Sequence, residues 1–145
     1  MNGFNRYLAA TAVLFAAAAV NSAAFSQTPG KSVWDGVYAD AQSKRGEDLS
    51  KKSCVSCHGD ELKGSDLAPA LQGDDFKGAW SGRTAAELFE KIQTTMPADQ
   101  AGTLKPEQSA DLVAYMFKLN EYPAGSTELA SDMAALQQIK IASKK

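Results

Sequence analysis

Cys54-Val55-Ser56-Cys57-His58 decides how this chain is read, because the pentapeptide holds both cysteines and the one histidine of the 145 residues. Thiols three positions apart lie about one helical turn from each other, which matches the spread of the vinyl groups on one porphyrin edge. Each thiol can add to a vinyl group to form a thioether, and the imidazole next in sequence then falls beneath the iron. Cys54, Cys57 and His58 therefore read as a c-type haem attachment site. Three other chemistries use the same thiols. A thioredoxin-like dithiol needs a strand–helix context, and the flanking sequence shows none. Structural zinc would have to take carboxylates as further ligands, since no other Cys or His is present. A disulfide across two residues closes too small a loop to stabilise much.

Moving outward, iron that shuttles electrons takes a second axial ligand, and methionine sulfur is the natural one once the histidine is used. Met116 and Met133 sit in apolar helical stripes and read as core filler. Met96 follows a helical pattern and directly precedes Pro97, which biases it towards extended backbone and aims its thioether, so Met96 is the candidate ligand. A ligating imidazole donates its other N–H to an acceptor, and Pro69, eleven residues past His58, can return a carbonyl to that nitrogen. Trp80 and Arg83 are candidates to hold a haem propionate, the indole by its N–H and the guanidinium by charge. Trp80 reads equally well as an apolar cover. Lys51, Lys52, Lys63, Lys77, Lys91 and Lys105 are candidates for a docking ring, or else ordinary solvated surface.

The elements around these residues are helical. Ser32, three before Asp35, opens an expected first helix that runs to about Ser53, with Val33, Val37, Ala41 and Leu49 on its apolar side. Residues 59–82 are rich in Gly and Asp, lack any sustained period, and read as one long loop of the kind that carries function. Thr84 and Glu87 form a capping box for a helix over 85–95 that Pro97 stops. Pro106 suits the first position of a third helix, which runs to Asn120 through Leu112, Val113, Met116 and Phe117. A last short helix contains Leu129, Met133 and Leu136. Strand signals are almost absent, so the fold class is all-α.

Composition narrows the function classes. Fifteen Lys and Arg against 17 Asp and Glu leave a formal charge of -2 with no basic stripe, which excludes nucleic-acid binding. Arg6, the uncharged run Leu8–Val20 and the small residues Ser22, Ala24 and Ser26 are the three parts of a secretory signal peptide over residues 1–26. The alternative is an uncleaved membrane anchor, although 13 helical residues span roughly 20 Å against a hydrocarbon core of about 30 Å. Residues 27–145 are then one domain, delivered to the periplasm.

Taken in order, the residues resemble a class I c-type cytochrome over essentially the whole of 27–145. The shared parts are a first helix with Gly46, the Cys54–His58 site, the Pro69-Ala70-Leu71 loop, the Met96-Pro97 loop and a later helix carrying Tyr115. The resemblance implies a cytochrome c-like fold of three core helices around one covalent haem c plus a short C-terminal helix, with Gly46 letting Tyr115 come close where two helices cross. It also implies a one-electron carrier, not an enzyme, moving electrons from a dehydrogenase donor to a terminal oxidase or another cytochrome, as a monomer or a subunit. The segments before Gly46 and after Asn120 are similar to those of small periplasmic cytochromes linked to quinoprotein alcohol dehydrogenases. A haem enzyme or gas sensor with a displaceable Met96, and a fixed subunit of a dehydrogenase complex, remain the rivals.

Overall fold

The computed structural model describes residues 30–143; the expected signal segment lies outside them. Among the described residues six α-helices follow one another: α1 (Asp40–Ser53), α2 (Val55–His58), α3 (Gly73–Trp80), α4 (Ala85–Thr95), α5 (Pro106–Leu119) and α6 (Met133–Gln137). Two two-residue strands, β1 (Lys31–Ser32) and β2 (Ile139–Lys140), pair in parallel and tie the two ends of the described chain together. The protein is all-α, as expected.

The expected first helix is two elements. Ser32 and Asp35 do form a capping box, but it opens only a 3-10 turn over Val33–Asp35, which Gly36 ends in the left-handed region at φ 65°. A Cβ on Gly36 would stand 3.1 Å from the Gly125 Cα, so the chain turns there against the C-terminal segment. α1 starts four residues later. Its buried side is Gln42, Ser43, Gly46 and Ser50, while Ala41 is exposed. Burial of small and polar residues fits a helix that approaches another backbone closely, and that is why its apolar stripe is weak. The buried hydroxyls are satisfied within the helix: Ser43 donates to the Asp40 carbonyl and Ser50 to that of Glu47, each at 2.8 Å.

α5 crosses α1 on this face. A Cβ on Gly46 would lie 2.0 Å from the Asp111 carbonyl oxygen and 2.8 Å from the Tyr115 Cβ, so only glycine permits the contact. The expected pairing of Gly46 with Tyr115 is therefore where the two helices meet. α4 keeps its expected limits, with Thr84 and Glu87 closing the capping box, and buries Leu88, Phe89 and Ile92. α5 begins with Pro106 at its first turn.

The expected long loop over 59–82 contains a helix. α3 has no side-chain N-cap and two glycines in eight residues, and its one fully buried residue is Phe76. Such a segment carries little local signal and is held by the core. In the C-terminal part, Leu129 is buried but precedes the helix, which Asp132 caps at the Ala134 and Ala135 N–H groups. Met133 is 38% exposed and does not fill the core, whereas Met116 does. Besides the β1–β2 pairing, the C-terminal segment is tied to the front of the chain by side-chain hydrogen bonds. Trp34 donates its indole N–H to the Ala142 carbonyl at 2.9 Å, and the buried Gln42 amide bonds both the N–H and the carbonyl of Leu129. Tyr38 donates its hydroxyl to the Tyr122 carbonyl at 2.7 Å. Among the described residues no helix is long and apolar enough to cross a membrane.

Candidate functional site

The pentapeptide sits where α1 hands over to α2. Cys54 ends the first helix, its N–H bonded to the Ser50 carbonyl, and opens the second, its carbonyl accepting from Cys57 and His58 at 3.1 and 2.9 Å. This one-turn helix brings the histidine to the protein interior while leaving the second thiol outside. His58 is 9% exposed, Cys54 is half-buried and Cys57 is exposed. The two thiols are free of each other. Burial pushes the Cys54 thiol up to about 11, with the neighbouring Cys57 adding to the shift. A redox dithiol needs its nucleophilic thiol lowered, so the thioredoxin-like chemistry runs against this environment. Among the described residues no group of three or more His, Cys, Asp or Glu is placed to share a metal ion, which gives structural zinc no site.

The segment after His58 turns back upon it. Gly59 takes φ 76°, where a Cβ would lie 2.4 Å from the Gly64 carbonyl oxygen, and the Gly64 N–H bonds the His58 carbonyl at 2.7 Å. Ser65 donates its hydroxyl to the Cys57 carbonyl. Further on, the Leu71 N–H bonds the Leu62 carbonyl at 2.8 Å. Between these ties the Pro69 carbonyl comes within 2.7 Å of His58 Nδ1. A carbonyl can only accept, so Nδ1 carries the hydrogen and Nε2 keeps its lone pair for a metal.

Sequence reasoning missed the residue that holds this loop from behind. Asn120, 2% exposed at the end of α5, donates its amide to the Leu71 and Met116 carbonyls at 3.1 and 2.8 Å and accepts from the Gly73 N–H at 3.0 Å. An asparagine just past a helix end looks like an ordinary stop signal. Nothing local reveals that its partners lie 47 and 49 positions away. The glycines at 59 and 64 and the hydroxyl of Ser65 were likewise hidden in a stretch that reads only as loop.

Met96 is the residue after α4, extended at φ -122° and ψ 151°, with its N–H on the Ile92 carbonyl. Its side chain is partly buried against the core, as are those of Cys54, Leu71 and Trp80. The loop that follows is fastened to α4 by Gln93, whose amide donates to the Leu104 carbonyl at 2.5 Å. Trp80 ends α3, and the Arg83 guanidinium carbon lies 4.9 Å from its ring centroid while Arg83 Nε bonds Glu87 at 3.0 Å. Trp80, Arg83 and Glu87 line an open groove of about 530 Å³. Arg83 is therefore shared between an aromatic face and a carboxylate before any other anion arrives.

Two free thiols precede a buried imidazole whose tautomer leaves one coordinating nitrogen, a methionine lies at a break in helical structure, and partly exposed apolar side chains rim the core. This donor set fits haem c: nitrogen and thioether sulfur suit iron, and the rim offers apolar cover for a porphyrin.

Three comparisons with known proteins gave the following. No curated protein matches the chain. One solved structure does, the crystal structure of the sulfane dehydrogenase SoxCD from Paracoccus pantotrophus, at 20% identity and a TM-score of 0.48, over 74% of this chain and 61% of that one. The present chain thus spans less than two thirds of that chain's length. A family model described as cytochrome c oxidase, cbb3-type, subunit III matches residues 41–116, from α1 through most of α5, more than half of the sequence. The chain belongs to that family, and its domain is a class I c-type cytochrome, an electron-transfer module that binds haem c covalently.

Proposed function

We propose that this protein is a one-electron carrier of the periplasm, and not an enzyme, in which haem c would be joined to Cys54 and Cys57 and held by His58 Nε2 and the Met96 sulfur. The observation that carries the reading is the 2.7 Å contact of His58 Nδ1 with the Pro69 carbonyl. It sets the tautomer, fixes the ring plane and leaves a single nitrogen for coordination. Bound there, haem c supplies an Fe(III)/Fe(II) couple. With His58 and Met96 both holding the group, this chain's own side chains would keep oxygen and peroxide from it, which suits electron transfer and not catalysis. The thioether of Met96 and the apolar rim both favour the reduced state and so raise the potential. Trp80 and Arg83 are the proposed holders of a propionate, Arg83 in company with Glu87. Residues 1–26 serve as the signal peptide, and the partners are a dehydrogenase donor and an oxidase or cytochrome acceptor. The protein acts as a monomer or as one subunit of an assembly.

The test is the protein produced with a haem maturation pathway. Its intact mass should equal residues 27–145 plus one haem, and the oxidised protein should show the weak red absorption band of an iron–sulfur bond. Met96→Ala should abolish that band and lower the midpoint potential while leaving the haem attached. A colourless product, or a band indifferent to Met96, refutes the assignment. A second reading, a fixed subunit of a larger redox complex, is favoured by the family's own description as an oxidase subunit. Stoichiometric co-purification with a large partner would decide for it.

A further inference from the structure

Trp80 and Arg83 keep donors open. Arg83 spends only its Nε, on Glu87 at 3.0 Å, so its two Nη groups and the Trp80 indole N–H make no hydrogen bond among the described residues. Both side chains line the groove of about 530 Å³. Their own helix does little to hold them there. α3 is eight residues long, has no side-chain N-cap and buries only Phe76, four positions before Trp80. Its C-terminal end must take its place from the chain that follows, where Gly82 turns in the left-handed region at φ 87° and the Arg83 N–H bonds the Trp80 carbonyl at 3.1 Å.

That turn is paired with the far end of the chain. The Gly82 N–H bonds the Ile141 carbonyl at 2.8 Å, the Ile141 N–H bonds the Arg83 carbonyl at 2.9 Å, and Thr84 faces Lys140 in an antiparallel bridge. The Ser81 and Ser143 hydroxyls meet at 3.3 Å. The C-terminal strand is itself fixed. Lys140 lies between Thr84 on one side and Ser32 of β1 on the other, Ile139 and Ile141 are buried, and the Trp34 indole holds the Ala142 carbonyl. Glu87 completes the clamp from α4, taking the Thr84 N–H on one carboxylate oxygen and Arg83 Nε on the other.

We infer that the C-terminal residues 139–141 are a positioning element for Trp80 and Arg83, whose backbone clamps the 82–84 turn and so sets both side chains on one groove for a carboxylate. The inference rests on the reading that gives these two residues a propionate, and it adds the segment that holds them. Strand pairing removes the freedom of the chain joining α3 to α4 before the anion arrives, so less ordering is left to do on binding. An outer contact of this kind acts on the potential only through the side chains it orients. The positioning segment lies beyond α5, outside the stretch shared with the family.

The experiment uses the full haem-loaded protein, read by amide exchange in its reduced form and by redox titration. In the parent protein the Gly82 and Ile141 N–H groups should exchange about a hundredfold more slowly than an unpaired loop amide. Exchange at free-loop rates overturns the inference before any substitution is made. Ile141→Pro removes the N–H that meets the Arg83 carbonyl, and should speed exchange at Gly82 and at Arg83 Nε about tenfold while the oxidised form keeps its iron–sulfur band. Unchanged exchange at both groups overturns it as well. Arg83→Gln should lower the midpoint potential, because a positive charge that favours the reduced state is lost. Ile141→Pro should shift it less in the same direction, and the double variant should match Arg83→Gln alone, since the strand then has nothing left to position. Shifts that simply add would show the strand acting by another route and would refute the positioning role. A potential indifferent to Arg83→Gln, with exchange at Arg83 Nε still loosened by Ile141→Pro, would instead strike the propionate reading and leave the positioning intact.

Discussion

His58 shows how much one side chain depends on residues far from it. Its tautomer is set by Pro69, Pro69 is positioned by the return of the loop at Leu71, and Leu71 is held by the amide of Asn120. Asn120 is buried, so removing its side chain takes a partner from the Met116 carbonyl in the interior and from the Leu71 carbonyl and the Gly73 N–H in partly buried contacts. An orphaned buried group costs roughly 1–3 kcal/mol, so Asn120→Ala should destabilise the protein by about 2 kcal/mol. Denaturant unfolding measures that loss. Faster amide exchange at Leu71 and Gly73 than at α4 would show that the damage is centred on the loop. Uniform exchange would mean that Asn120 supports the whole core and not this loop.

At the level of elements, the α1–α5 crossing is the contact on which the pentapeptide hangs, because α1 ends directly at Cys54. The two backbones approach so closely at Gly46 that a methyl group there would stand 2.0 Å from the Asp111 carbonyl oxygen. Backbone on a packed helix cannot swing away as a long side chain can. Gly46→Ala should cost about 3 kcal/mol, the upper end of ordinary overpacking, despite alanine's better helix propensity. Gly78→Ala is the control: it lies inside α3 with nothing within 4 Å of an added Cβ, and should be neutral or stabilising. Equal melting temperatures for the two variants would remove the crossing from its place in the account.

Across the whole molecule the C-terminal segment closes over the front of the chain, and its seam is aromatic. The Tyr122 ring packs edge-on to both Trp34 and Phe117, and Tyr38 donates to the Tyr122 carbonyl beneath them. Burial, with Asp40 assisting, pushes the Tyr38 hydroxyl from 10.0 up to about 12, and burial raises Tyr122 as well. The folded chain therefore keeps a proton that the unfolded chain loses above its ordinary value of 10.0. Stability from this source is complete below that pH and is lost as pH climbs towards the folded value of about 12. Melting temperature should fall through this alkaline window, and Tyr38→Phe should fall less steeply while starting lower by about 1 kcal/mol for the missing hydrogen bond. A parallel decline in both proteins would assign the alkaline transition to other groups.

The local grammar was legible from the residues alone. The Thr84–Glu87 capping box, Pro106 at the head of α5 and the position of Met96 ahead of Pro97 each depend on interactions within a few positions, and the helices begin and end there. The proposed attachment role of the pentapeptide is likewise a local reading, since it is a matter of spacing within one turn. Where contacts reach across the chain, local reading failed. It ran α1 back to Ser32 because it could not see Gly36 folding against Gly125, and it missed α3 because Phe76 is held by a distant core and not by a cap. Sequence by itself determined which thiols, imidazole and thioethers the chain can offer to the proposed haem. Tertiary structure decided which imidazole nitrogen is free and which thiol faces water, because each of those depends on hydrogen bonds and burial between residues that only folding brings together.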